Sequence, residues 1–275
     1  MDAPLVRAYL DALPDVPPDE RSVARVRYCL ATLQSPDIRY LVATIAGPRA
    51  AEVAEVARSV LGAAGARAAV LGPTLEGSSI DGAPIDDALI GQAGTLAAAA
   101  GYQLAATGAE LGELVRRDAV VVLALTAFAE ASQRVALLLD EAADPADPVH
   151  APRPDLFVSL VSGSRLDATL ALAPADRPLI VAGAPRERIE ALEKERDAPV
   201  LLAGRDHAAE ERSGRLIFSV RDERYVDFDP VAGRTGPDLE AGIATALALG
   251  AMGIRMREEW VLAGIERLRR AAVAT

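Results

Sequence analysis

Residues 40–71 contain the pattern that most restricts what this chain can fold into. The run Tyr40–Ala46 is apolar and short, which is typical of a buried strand, and Gly47-Pro48 follows it as a turn. Apolar residues then recur at helical spacing as far as Ala64, and residues 68–71 form a second short apolar run. A strand, a helix and a strand within about 30 residues are the unit from which parallel sheets are built.

The rest of the chain continues this alternation. Strands are predicted at 135–139, 156–161, 179–181 and 200–202, and a terminal hairpin at 216–220 and 225–228. Helices are predicted within residues 1–33 and at 48–64, 88–106, 110–132, 185–196, 238–252 and 256–271, and residues 72–87 are predicted to be a loop. We therefore predict an α/β protein with an open, mostly parallel sheet and helices on both faces. It is predicted to be one domain over 1–275, with a helical lead-in at 1–39 and an α/β core at 40–275.

Composition restricts the function. Of the 275 residues, 51% are hydrophobic and 25% charged, as expected of a folded globular protein. The net charge of −11 disfavours nucleic acid as a partner. The longest apolar run, Ala119–Ala129, is shorter than the ~20 residues that span a bilayer, and the chain does not open with a basic region followed by an apolar block. We expect a cytoplasmic protein with neither a nucleic-acid nor a membrane partner.

The turn after the first strand is the first place to look for chemistry. Ligands of such sheets bind at the carboxyl ends of strands, and a glycine turn leading into a helix is where phosphate-binding loops occur. Such a loop needs inward-facing backbone N–H groups and a lysine. The candidate residues are Gly47, Pro48, Arg49 and Ala50.

The residues of this turn fit a phosphate poorly. The only lysine of the chain, Lys194, lies far away in the sequence. Pro48 has no N–H and is predicted to be the first helical residue. The carboxylates of Glu52 and Glu55 would repel a triphosphate. A surface role for Arg49 is favoured over a phosphate contact.

Several segments, in this order and spacing, resemble the folylpolyglutamate synthase/dihydrofolate synthase family, a branch of the Mur ligase superfamily. The segments are Val42-Ala-Thr-Ile-Ala-Gly47, Leu71-Gly-Pro-Thr-Leu75, Ile80-Asp-Gly-Ala-Pro-Ile-Asp86, Pro154-Asp-Leu-Phe-Val158, and the helices at 236–249 and 258–267. The resemblance covers nearly the whole chain and implies a Mur ligase central domain with P-loop-type topology. Family members ligate an amine to a carboxylate with ATP and magnesium, and carry a further C-terminal ligase domain, which we expect to be absent here.

The departures from the family pattern bear on activity. The family's phosphate loop reads Gly-Thr-Asn-Gly-Lys-Gly-Ser, so the resemblance makes residues 47–50 a vestigial, degenerate P-loop. Thr74 stands where the family has a histidine, and Asp140 stands where it has a metal-binding glutamate. Asp140 is the candidate for a vestigial metal ligand, although a charged strand end or a helix cap is favoured as its role. The segment 162–169 can be aligned in two ways, which put either Ser159 in place of the metal glutamate or Ala168 in place of a histidine. The second alignment is preferred, because the first breaks the order of the strands.

The two histidines, His150 and His207, lie in a proline-rich and a charged stretch. Solvent exposure is favoured for both over a metal or general-base role. The sequence therefore predicts a folylpolyglutamate synthase-like pseudoenzyme with no cofactor and no catalytic residue. Its role would be structural or regulatory, with a protein partner such as a full-length ligase; its alanine-rich helices at 88–132 form either packing surfaces or core. Two alternatives stay open: an active ligase that uses ATP and magnesium with an atypical loop, and a small-molecule binding module.

Overall fold

A computed structural model describes residues 1–107, 110–221 and 223–274. The helices are α1 (Ala3–Ala12), α2 (Ser22–Thr32), α3 (Ala50–Ala63), α4 (Asp87–Thr107), α5 (Arg116–Glu130), α6 (Leu166–Leu170), α7 (Arg186–Glu195), α8 (Gly236–Ala251) and α9 (Glu258–Ala274). The strands are β1 (Leu41–Ala46), β2 (Ala68–Leu71), β3 (Ser79–Ile80), β4 (Ala83–Pro84), β5 (Val135–Asp140), β6 (Leu156–Ser159), β7 (Leu179–Val181), β8 (Val200–Leu202), β9 (His207–Arg212), β10 (Arg215–Val220) and β11 (Glu223–Phe228). Among strands β1–β8 most neighbouring pairs are parallel, and helices flank them, so the predicted fold class is confirmed.

The chain divides into two compact units. The first contains Met1–Val42, Arg67–Asp140 and Asp144–Arg153, and the second contains Ala43–Ala66, Glu141–Ala143 and Pro154–Thr275. The single domain over 1–275, whose last residue lies outside the described part, stays a prediction. No described helix is both long enough and apolar enough to cross a bilayer.

In the first unit the strand order is β4-β3-β2-β5. Strand β2 is parallel to β5 and antiparallel to β3, with Ala69 opposite Ala136 and Ile80. Helix α5 is buried from residue 118 to residue 129, so this part of the predicted alanine-rich region is core. The predicted loop at 72–87 contains β3 and β4, which are too short to show periodicity. Asp81 and Gly82 join them with φ of 53° and 86°, the backbone that an Asp-Gly hairpin turn requires.

In the second unit the strands lie in the order β1-β6-β7-β8, and every neighbouring pair is parallel. Helices α8 and α9 pack against α3. A separate antiparallel sheet has the order β11-β10-β9, which confirms the predicted hairpin. Strand β9 was not predicted because its polar sequence, His-Ala-Ala-Glu-Glu-Arg, is typical of an exposed edge strand.

Candidate functional site

The turn after β1 is built tightly around Gly47. The backbone of this residue has a φ of +120°, and a Cβ there would lie 2.9 Å from Val161 Cγ2 and 3.1 Å from the carbonyl carbon of Leu160. The N–H of Leu160 donates to the carbonyl of Ala46 at 2.8 Å, which holds these neighbours in place. Only glycine satisfies both the backbone angle and the close approach.

Pro48 and Arg49 form the corner of the turn. The N–H of Ala50 donates to the Gly47 carbonyl at 3.3 Å, and Arg49 is left-handed, with φ 66° and ψ 21°. Proline at the second position and a positive φ at the third are the features of a type II turn. The prediction that Pro48 is the first helical residue is therefore wrong: α3 begins at Ala50, since a left-handed residue cannot belong to a right-handed helix.

The Arg49 guanidinium is bound to a carboxylate on another helix. Its Nε donates to Asp238 Oδ1 at 2.8 Å and its Nη2 donates to Asp238 Oδ2 at 2.6 Å. This parallel two-bond geometry is the strongest that arginine makes with a carboxylate. The Asp238 side chain is 4% exposed and that of Arg49 is 44% exposed. Arg49 is therefore a surface arginine that is anchored at its inner end, and Glu52 lies 3.8 Å from its Nη1.

Asp238 is also held by the helix that carries it. The N–H and the hydroxyl of Thr235 both donate to Asp238 Oδ2 at 2.7 Å. The N–H of Asp238 donates to Thr235 Oγ1 at 3.4 Å, which completes a capping box at the start of α8. Burial opposes ionisation of Asp238, but the hydrogen bonds from Arg49 and Thr235 outweigh it and lower the pKa of this carboxyl. The same contact raises the pKa of Arg49. The pair is therefore ionised at neutral pH.

The charges around the turn give a phosphate little to bind. Glu55, one turn into α3, forms an ion pair with Arg234. Lys194 lies on α7 and not in the turn. The cations that the structure places at the start of α3 are thus already matched by Asp238 and Glu55.

The predicted metal ligand, Asp140, is at the end of β5 and its side chain is 1% exposed. Its Oδ2 lies 2.9 Å from His150 Nε2, while its Oδ1 has no hydrogen-bond partner among the described residues. Within the described ranges, no three or more His, Cys, Asp and Glu side chains are grouped in a way that could hold a metal ion. Asp140 and His150 are thus two potential ligands, and the metal site stays a prediction.

The expected exposure of the two histidines is wrong. The side chain of His150 is 9% exposed and that of His207 is 4% exposed. His207 Nδ1 lies 3.0 Å from Glu240 Oε1, and its ring stacks on Phe218. Both histidines lie in polar stretches of the sequence, and their partners Asp140 and Glu240 become neighbours only in the tertiary structure.

The two positions from the alternative alignments of 162–169 differ in environment. Ser159 ends β6 and is fully buried, and its hydroxyl has no hydrogen-bond partner in the described part of the chain. Ala168 is exposed on the short helix α6. Neither residue brings a carboxylate or an imidazole to the sheet edge.

A cavity of about 310 Å³ lies in the first unit, between α1, α5 and the loop after β2. Thr74 lines it, and its hydroxyl accepts from the N–H of Gly77. Arg117 fixes the loop by donating to the carbonyls of Gly72 and Pro73 at 2.7 and 2.9 Å. Sequence reasoning missed Arg117, because a charged residue in the first turn of a helix carries no signal of a loop contact.

The comparisons with known proteins identify the fold. No family model and no curated protein sequence matches the chain. The structure is similar to folylpolyglutamate synthetase from Lactobacillus casei, with a TM-score of 0.77, 18% identity, and coverage of 96% of this chain and 71% of that one. This chain has the fold of folylpolyglutamate synthase. The resemblance predicted from the sequence is confirmed at the level of the fold.

Two ligand complexes with the folylpolyglutamate synthase fold are also similar. One is a folylpolyglutamate synthase complex with AMPPCP and folate, with a TM-score of 0.80, 17% identity, and coverage of 96% of this chain and 71% of that one. The other is Mycobacterium tuberculosis folylpolyglutamate synthase complexed with ADP, with a TM-score of 0.75, 19% identity, and coverage of 97% and 65%. At these identities the similarity establishes the fold and leaves the activity to be argued from the residues.

Proposed function

We propose that this chain is a folylpolyglutamate synthase-like protein that has lost ATP-dependent ligation and has a structural or regulatory role in the cytoplasm. The observation that carries the proposal is the contact between Arg49 and Asp238. ATP-dependent ligation needs cations and N–H donors that stabilise a transferring phosphoryl group. Here Arg49, the one cation in the turn, donates two parallel hydrogen bonds to the buried carboxylate of Asp238.

Displacing this carboxylate would be costly. A phosphate that takes Arg49 from Asp238 leaves an almost fully buried carboxylate without its counter-charge, which is unfavourable. Glu52 lies in the first turn of the same helix and adds repulsion to any polyphosphate. The turn contains no lysine that could offset the loss of the Arg49–Asp238 pair and the repulsion by the carboxylate, so nucleotide binding there is unfavourable.

Calorimetric titration with MgATP tests the proposal. We expect no saturable heat from the wild-type chain. The variant Asp238→Asn keeps a capping side chain but removes the charge that holds Arg49. If this variant binds MgATP even weakly, the Asp238 carboxylate is what prevents binding in the wild type. Asp229→Asn, a change at a half-exposed carboxylate, is the matched control. Wild-type binding of MgATP in the micromolar range would contradict the proposal.

The first alternative is an active ATP-dependent carboxylate–amine ligase with an atypical loop, using ATP and magnesium. It is favoured by the similar structures, which hold AMPPCP, folate or ADP. Release of ADP from MgATP in the presence of folate and glutamate would support it. The same reaction with Arg49→Ala shows whether the turn is responsible.

The second alternative is a small-molecule binding module, and the cavity of about 310 Å³ favours it. Its lining combines apolar side chains such as Leu10 and Val120 with the guanidinium of Arg7. A saturable rise in melting temperature with folate, in the absence of ATP, would support this function. The rise should shrink in Arg7→Gln, whose partner Asp87 is largely exposed.

A further inference from the structure

No further inference is drawn: the strongest candidate, the cavity of about 310 Å³ between α1, α5 and the loop after β2, belongs to the binding module already described as an alternative function, and the guanidinium groups of Arg7, Arg116 and Arg117 that line it already donate to carboxylates and carbonyls, so nothing there selects a further ligand.

Discussion

Arg49 and Asp238 are 189 residues apart in the sequence and are joined by two parallel hydrogen bonds. The first residue belongs to the turn between β1 and α3, and the second belongs to the capping box of α8. The contact thus fastens the turn after β1 to the start of another helix of the same unit. Arg49 thus serves internal structure, and this role can be measured as stability.

Replacing Asp238 with alanine should lower the free energy of unfolding by about 1–3 kcal/mol, because it removes the partner of Arg49 and the carboxylate half of the capping box of α8. Urea unfolding followed by circular dichroism measures this loss. Glu52→Gln is the control, since Glu52 is only 3.8 Å from the same guanidinium and partly exposed. We expect that control to cost at most about 0.5 kcal/mol. Equal losses in the two variants would show that the pair contributes no special stability.

The stabilising effect of Asp238 should depend on pH in a defined direction. Its pKa in the folded chain is lowered, so the ionised carboxylate favours the folded state. The contribution is complete above the unfolded pKa of about 3.9 and is lost as the pH falls through the lower folded value. The difference in unfolding free energy between the wild type and Asp238→Asn should be constant from neutral pH to mildly acidic pH. It should then shrink on further acidification, and a difference that grows there would contradict the assigned direction.

The turn itself can be tested at Gly47. The change Gly47→Ala forces a Cβ to 2.9 Å from Val161 in a backbone conformation with a φ of +120°. We expect a loss of at least about 2 kcal/mol. Gly65→Ala is the matched control, because Gly65 has a φ of +76° with no atom within 4 Å of the added Cβ. Its cost should be only about 1 kcal/mol. Similar melting temperatures for the two variants would mean that the contact with Val161 does not restrict residue 47.

The fold could be predicted from the sequence because it rests on local patterns. Buried parallel strands such as Val135–Asp140 are continuous apolar runs, and α3 shows a clear apolar stripe. The two-residue strands β3 and β4 gave no such pattern, although Asp81-Gly82 was a usable hairpin signal.

The site was less predictable than the fold, because its contacts join residues that are distant in the sequence. Nothing near Arg49 indicates Asp238, and nothing near His207 indicates Glu240. Arg49 has a left-handed conformation, which is rare for a residue other than glycine. For this reason α3 begins at Ala50 and not, as the sequence predicted, at Pro48. Single-sequence reasoning found the position of the turn and the lack of a lysine, but not the carboxylate that binds the arginine.

The packing of α9 on α3 gives a final pair of substitutions with opposite expected signs. Ser59 donates to the carbonyl of Gly264 at 2.8 Å, and a Cβ at Gly264 would lie 2.6 Å from Val60 Cα. Because backbone cannot move aside as a flexible side chain can, Gly264→Ala should cost about 3 kcal/mol.

Gly62 lies on α3, and a Cβ added there meets only Arg267 Nη1, at an ordinary distance of 3.6 Å. Gly62→Ala should therefore raise the free energy of unfolding by about 0.5–1 kcal/mol through helix propensity. Urea midpoints that move in opposite directions for the two alanines would confirm that α9 touches the α3 backbone at Val60. If Gly264→Ala leaves the free energy of unfolding unchanged, α3 and α9 are further apart than this, because a methyl group does not fit at 2.6 Å from Val60 Cα.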